Sequence, residues 1–169
     1  YTSGSYFSYF IWGSTQIKAE YRNAPDGVPV SSNQWFLYSD DFIGFLKRSK
    51  ELGDQRTDVT YMERTGVSDM YEVIQWPNKL IGNISTGTIV WEQDFILYRY
   101  AQYYTMLAEL RYHRKDYSGA LTALNTLAQR AYGKANFYTD SSAAAVRQAL
   151  VDENLKELSL IHISEPTRL

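Results

Sequence analysis

The chain has 169 residues, of which 17 are Lys or Arg and 19 are Asp or Glu, so its net charge is −2. This balance argues against nucleic-acid binding, which favours a strongly basic surface. The absence of cysteine excludes a disulfide framework and a cysteine-based metal site within these residues. No apolar run approaches the roughly 18 residues of a membrane-spanning helix.

The first part of the chain is rich in turn-forming residues and aromatic side chains. Residues 1–10 predict irregular structure or a strand, and residues 23–32, with two prolines and a glycine, predict a loop. Trp12 and Trp35 lie beside these segments and not on a helical stripe. They are the best candidates for stacking on a ligand such as a sugar, and core packing is the alternative for each.

The next segment predicts a helix that Ser39 caps and Gly53 ends. Its apolar face is expected to hold Phe42, Phe45 and Leu46.

Two clusters of β-forming residues follow, at 59–62 and 71–76, on either side of a Gly-Val-Ser-Asp turn. This pattern predicts a short β-hairpin. Residues 78–87 predict a loop.

Residues 94–133 predict two amphipathic helices joined by a tight turn. The first is expected to bury a stripe formed by Ile96, Tyr100, Tyr103, Leu107 and Leu110. The second is expected to bury Tyr117, Ala120, Leu121, Leu124, Leu127, Ala128 and Ala131. Asp116 is placed to cap the second helix and Gly133 to end it in a left-handed conformation.

A further helix is predicted at about 141–157. Its aligned apolar residues are Ala144, Val151, Leu155 and Leu158. Small residues beside larger apolar ones, namely Ala108, Ala120 and Ala128, are typical of tetratricopeptide helix pairs. The predicted fold is therefore mainly α, with tetratricopeptide-like helix pairs, long loops and a short β-hairpin.

Catalytic patterns are not evident in the sequence. His113 lies in a basic helix end, which favours a solvated capping role. Asp40 and Asp41 suit a helix start, and Asp54 with Asp58 falls short of the 6–8 oxygen ligands that Ca²⁺ takes. We therefore predict a non-enzyme with no metal ligands and no cofactor.

Several sequence blocks resemble the C-terminal region of the SusD/RagB family. They are D-F-I-L-Y-R-Y-A, L-A-E and A-L-N-T-L-A-Q-R-A-Y-G within 94–133, an upstream Asp54-x-Arg56, K-L-I-G at 79–82, and Glu153 followed by Glu157-Leu158. The resemblance covers roughly residues 34–158. The chain departs from the family pattern at Gln102, where an acidic residue is usual, and at Ala128 and Asn154, where arginine is usual.

The family consists of outer-membrane lipoproteins that bind nutrients, mostly glycans, at the cell surface beside a SusC-like TonB-dependent transporter. The resemblance implies non-catalytic oligosaccharide binding, with an N-terminal lipid anchor outside these 169 residues. A peptide-binding member of the family and an intracellular helical-repeat interaction scaffold are the alternatives. The matched residues are expected to be structural: Arg99, Tyr100, Ala101, Asn125, Arg130, Gly133, Glu153 and Glu157.

The C-terminal run L-S-L-I-H-I-S-E-P-T-R resembles a translated transposase sequencing adaptor. We therefore expect residues 1–157 to be part of a SusD/RagB-like domain and residues 158–169 to be non-native.

Overall fold

A computed structural model describes residues 11–24, 26–31, 37–79, 81, 83–85, 87–90 and 99–159. The prediction for residues 1–10, and that for 158–169 beyond Ser159, lie outside these ranges. The described chain is mainly helical and divides into two compact units. One, the strand unit, comprises the described residues of Tyr1–Lys47 and Thr57–Asp94, and the other, the helix unit, comprises those of Arg48–Arg56 and Phe95–Leu169.

The strand unit begins with a short parallel pair of strands. Strand β1 (Trp12–Gly13) pairs with β2 (Val30–Ser31), and two turns of 3₁₀-helix lie between them. The segment 23–32, predicted to be a loop, therefore ends in a strand.

Two antiparallel hairpins follow in the strand unit. Strand β3 (Tyr61–Thr65) pairs with β4 (Val73–Pro77), which confirms the predicted hairpin with slightly shifted bounds. Strand β5 (Asn83–Ser85) pairs with β6 (Thr88–Val90), so the prediction of a loop at 78–87 was wrong for residues 83–85. Gly87 takes a φ of 78° between these strands, a conformation that glycine adopts without a steric cost.

The core of the strand unit is apolar. Its largest cluster consists of Ile17, Val28, Val30, Val67, Ile74 and Trp76. Burial of each such side chain contributes roughly 1.5–3 kcal/mol.

Helix α1 (Asp40–Glu51) has the predicted start and end. The Ser39 hydroxyl accepts a hydrogen bond from the Phe42 amide, and Gly53 follows the helix with a φ of 99°. The helix packs through a face centred on Ile43 and Leu46, and Phe42 lies at its margin. A short helix α2 (Thr57–Thr60) then leads directly into β3.

The helix unit is built from α3 (Tyr100–His113), α4 (Tyr117–Tyr132) and α5 (Ala143–Leu158). The prediction for α4 is confirmed. The Asp116 carboxylate accepts a hydrogen bond from the Gly119 amide at 2.9 Å, and Gly133 is left-handed with a φ of 68°. The predicted apolar face is buried apart from Tyr117, which packs at its edge.

The predicted buried stripe of α3 was wrong apart from Leu107, which is half-buried and packs against the core of the helix unit. Tyr100 is 75% exposed, and Tyr103 and Leu110 are also more than half exposed, while Ile96 lies outside the described residues. The helix instead buries its small residues, which are Ala101, Thr105 and Ala108. Small side chains let the backbones of α3 and α4 approach closely, and Tyr100 and Tyr103 are left on the outer face.

The predicted stripe of α5 was also wrong apart from Leu158. Ala144 and Leu155 are exposed. The buried face is shifted and consists of Val146, Ala149, Leu150, Glu153, Lys156, Glu157 and Leu158. Two glutamates occupy buried positions because charged partners meet them there.

Candidate functional site

The structure places Trp12, the first predicted ligand contact, in a packed environment. Its indole Nε1 donates to the Gln75 carbonyl oxygen at 2.8 Å, and its ring lies 5.0 Å from the ring of Tyr71. The Trp12 side chain is half-buried and rests against the apolar core of the strand unit. The indole is therefore fixed by the fold, and Tyr71 is the more exposed of the two rings. Trp35, the second predicted contact, lies outside the described residues.

A cavity of about 380 Å³ lies elsewhere in the strand unit. Lys18 and Asp69 line it, and they pair with each other at 3.2 Å. Glu20 and Arg22 line it as well, so the cavity carries charges of both signs.

The motif residues of the helix unit converge on the guanidinium group of Arg56. It donates to Asp54 at 2.9 and 2.7 Å, to Glu153 at 2.7 and 3.2 Å, and to Glu157 at 2.9 Å. The three carboxylates are buried, and the Arg56 side chain is 12% exposed. Arg56 therefore ties the segment that follows α1 to α5, across 101 positions of sequence.

Further polar groups complete this buried charge cluster. Tyr138 donates its hydroxyl to Glu153 at 2.8 Å, and Lys156 Nζ lies 3.8 Å from the same carboxylate. Arg130 of α4 donates to Glu157. Three carboxylates thus face three cations, which is the arrangement that buried charge requires.

The cluster shifts the pKa values of Asp54, Glu157 and Lys156. Burial alone would raise the pKa of Asp54, but the hydrogen bonds and charge of Arg56 outweigh it and hold this pKa below its ordinary value. Burial would likewise raise the pKa of Glu157, but the hydrogen bonds and charges of Arg130 and Arg56 together outweigh it and lower this pKa. Burial lowers the pKa of Lys156. Asp54 and Glu157 are therefore held ionised.

Asn125, another motif residue, clamps the segment that follows α4. Its amide nitrogen donates to the Tyr138 carbonyl oxygen, and its amide oxygen accepts from the Tyr138 backbone N–H, both at 2.9 Å. Since the Tyr138 hydroxyl is bound to Glu153, this tyrosine is held at its backbone and at its side chain.

The remaining motif residues lie at helix ends. Arg99 precedes α3 in an extended conformation, Tyr100 is exposed and Ala101 is buried. Gly133 ends α4. These residues shape the helix boundaries and lie apart from any described cavity.

Two of the departures from the family pattern have local consequences. Ala128 is fully buried, so the position has no room for a long charged side chain. Asn154 donates to the Leu150 carbonyl oxygen at 2.9 Å within α5.

Sequence reasoning missed Tyr132, Tyr138 and Lys156 as parts of the charge cluster. Lys156 donates to the Tyr132 hydroxyl at 2.7 Å, and the Tyr132 ring stacks on Phe137 with centroids 3.8 Å apart. A signal was present, because positions 146, 149, 150, 153 and 157 follow helical spacing. That pattern places both glutamates on the buried face of α5, where partners are required.

A groove of about 500 Å³ runs along α4 beside the clamped segment. Its lining consists of Ser118, Leu121, Thr122, Asn125, Thr126, Gln129, Ala135, Asn136, Tyr138 and Thr139.

The described residues show no arrangement suited to metal chemistry, since no group of three or more His, Asp or Glu side chains could hold an ion there. His113 is exposed at the end of α3, 3.9 Å from Glu109. Within the same ranges, the helices lack the length and apolar character needed to cross a membrane.

No protein-family model matches this chain, and no curated protein or solved structure is significantly similar to it. The functional interpretation therefore depends on the residues and their geometry.

Proposed function

We propose that this chain is part of a SusD/RagB-type surface lipoprotein that binds nutrient oligosaccharides without catalysis and delivers them to a TonB-dependent outer-membrane transporter. The observation that supports the proposal is the convergence of separate motif segments. Asp54 and Arg56, Arg130, and Glu153 with Glu157 come from three parts of the sequence that carry the resemblance. All five meet in one cluster, in which the carboxylates and Arg56 are buried and Arg130 lies at the exposed edge.

This convergence matters because a chance resemblance gives no reason for its charged residues to be partners. Charged residues such as Arg56 and Glu153, which are 97 positions apart, would ordinarily face solvent. Here Arg56 donates to Glu153 at 2.7 Å, and the carboxylate is fully buried. The helix hairpin of α3 and α4, packed through Ala108 and Ala120, supports a tetratricopeptide-like frame of the same family.

A non-catalytic role fits the state of the buried carboxylates. A glycosidase needs two carboxyl groups that flank the scissile bond, one as an acid and the other as a base or nucleophile. Asp54, Glu153 and Glu157 are instead buried and committed to arginine, so they hold the frame together.

Two measurements test this proposal. On a glycan array, the purified 169-residue chain is expected to bind neutral oligosaccharides. It is expected to leave the bound glycans chemically unchanged. The gene is expected to encode a lipoprotein signal and to lie beside a gene for a TonB-dependent transporter. Turnover of a bound glycan, or a gene without either feature, would contradict the proposal.

One observation favours a second candidate, a helical-repeat scaffold for protein interactions. The outer face of α3 exposes Tyr100, Tyr103, Met106 and Leu110 at helical spacing, and an exposed apolar patch of this kind often marks a protein contact. A chain that binds proteins or peptides and no glycan would favour this candidate or a peptide-binding member of the family.

A further inference from the structure

We infer that the groove along α4 is a binding site for a neutral oligosaccharide, an inference that rests on the proposed function and assigns it to particular residues. The groove lies entirely in the helix unit. One wall is α4, and the other is the segment of residues 135–139 that follows it. Its volume, about 500 Å³, falls within the range usual for small-molecule sites.

The lining of the groove is polar and uncharged. Eight of its ten lining residues have a hydroxyl or amide side chain, and none of the ten is Asp, Glu, Lys or Arg. A neutral sugar presents many hydroxyl groups that both donate and accept, which matches such a lining. An anionic glycan or a phosphate would lack a cation to pair with in this groove.

Several of these side chains are available to a ligand. Gln129, Asn136 and Thr139 are exposed and make no side-chain hydrogen bond to another described residue. The hydroxyls of Thr122 and Thr126 donate to carbonyl oxygens of α4, at 3.0 and 3.1 Å, and retain lone pairs that can accept. The groove therefore offers amide donors together with hydroxyl acceptors.

The second wall of the groove is built in place before any ligand arrives. Asn125 holds the backbone of Tyr138 through two hydrogen bonds, and Glu153 holds the Tyr138 hydroxyl. A preorganised wall lowers the entropic cost of binding, which matters for sugars because each of their hydrogen bonds replaces one to water. The buried charge cluster thereby supports the groove through Tyr138.

The inference is tested by titrating the full 169-residue chain with neutral hexaoses of glucose, xylose and mannose while recording NMR spectra. We expect the side-chain amide signals of Gln129 and Asn136 to shift in a saturable manner. The double variant Gln129→Ala/Asn136→Ala is expected to bind about tenfold more weakly, because each lost hydrogen bond typically lowers affinity several-fold.

Gln148→Ala is the matched control, since Gln148 is an exposed amide on α5 that bonds Asp152 and does not line the groove. It should leave affinity unchanged, and circular dichroism should show both variants folded. If a hexaose binds the chain and the double variant binds it equally well, the groove assignment is overturned while the proposed function stands. If neutral glycans fail to bind at all, or only peptides bind, both are overturned.

Discussion

The buried charge cluster of the helix unit and the ion pair between Lys47 and Glu63 in the strand unit have similar hydrogen-bond geometry but different surroundings. Lys47 donates to Glu63 at 2.8 Å, and the two side chains are 48% and 41% exposed. Arg56 donates to Glu153 at 2.7 Å, and the carboxylate there is fully buried. Water screens the first pair and is excluded from the second, so equal distances correspond to unequal energetic roles.

This difference separates two ways of holding a fold. The strand unit depends on an apolar cluster, and its exposed pair is an addition to that cluster. The helix unit places charged side chains inside, where each depends on its partners. Losing a single partner should therefore be tolerated in the first case and costly in the second.

The largest expected effect comes from Arg56→Met. This change leaves Asp54, Glu153 and Glu157 buried with too few cations, and it should lower the free energy of unfolding by about 3–5 kcal/mol. Amide hydrogen exchange in α4 and α5, together with urea unfolding, would measure the loss.

Lys47→Met is the matched control because it removes the cation of the exposed pair, and it should cost less than about 1 kcal/mol. Arg56→Lys should fall between the two variants, since an ammonium group keeps the charge but loses the planar fork that reaches several carboxylates. If Arg56→Met and Lys47→Met lowered the free energy of unfolding equally, the buried cluster and the exposed pair would not differ in their contribution to stability.

Acid should weaken the charge cluster in a defined direction. The pKa values of Asp54 and Glu157 are lowered in the folded chain. Their contribution to stability is therefore fully present above the ordinary carboxyl pKa and is lost as the pH falls through the lowered values. Urea unfolding between pH 7 and pH 3 should show this decline in α4 and α5.

The same titration on Arg56→Met provides the control. Without the arginine, Asp54 loses the interaction that lowers its pKa and Glu157 keeps only that of Arg130, so the decline below neutral pH should be shallower. Lys156 has the opposite sign: burial lowers its pKa, so its charged form is disfavoured in the folded chain and raising the pH through the lowered pKa should relieve that cost. A variant that loses stability on acidification as steeply as the parent chain would show that the cluster does not control the acid response.

A smaller loss is expected for Asn125→Ala. The change leaves the N–H and carbonyl groups of Tyr138 without their partner, and it should cost about 1–3 kcal/mol. Thr126→Ala, on the exposed side of the same helix, should stay within about 0.5 kcal/mol. Hydrogen exchange at the Tyr138 amide would report the clamp directly, and an unchanged exchange rate in Asn125→Ala would contradict its role.

Sequence reasoning predicted α4 well because every signal there agreed. Asp116 suits a cap, Gly133 suits a left-handed end, and apolar residues such as Leu124 follow one stripe. In α3 two signals competed, the spacing of the large apolar residues and the positions of the small ones. The prediction followed the large residues and therefore assigned the wrong buried face. Tyr100 and Tyr103 fit helical spacing, yet Ala108 and its small neighbours decide which face meets α4, because close packing needs small side chains.

The charge cluster was only partly predictable. Arg130, Glu153 and Glu157 were expected to be structural from the resemblance, and helical spacing could have placed both glutamates on the buried face of α5. That Arg56 is their partner could not be derived, because it lies 97 positions from Glu153 and no local pattern encodes such a distance. The groove along α4 was missed for a similar reason, since its second wall depends on the Asn125 clamp.

The smallest change in the free energy of unfolding is expected for substitutions of Gly133, at the end of α4. Gly133 has a φ of 68°, and a Cβ added there would meet no atom within 4 Å. Gly133→Ala should therefore cost about 1 kcal/mol through backbone strain alone, without a clash. Gly133→Asn should cost less, because asparagine tolerates the left-handed region better than alanine does. Urea unfolding followed in α4 would rank the three chains, and equal stability of the alanine and asparagine variants would show that the left-handed turn does not limit the stability of this helix end.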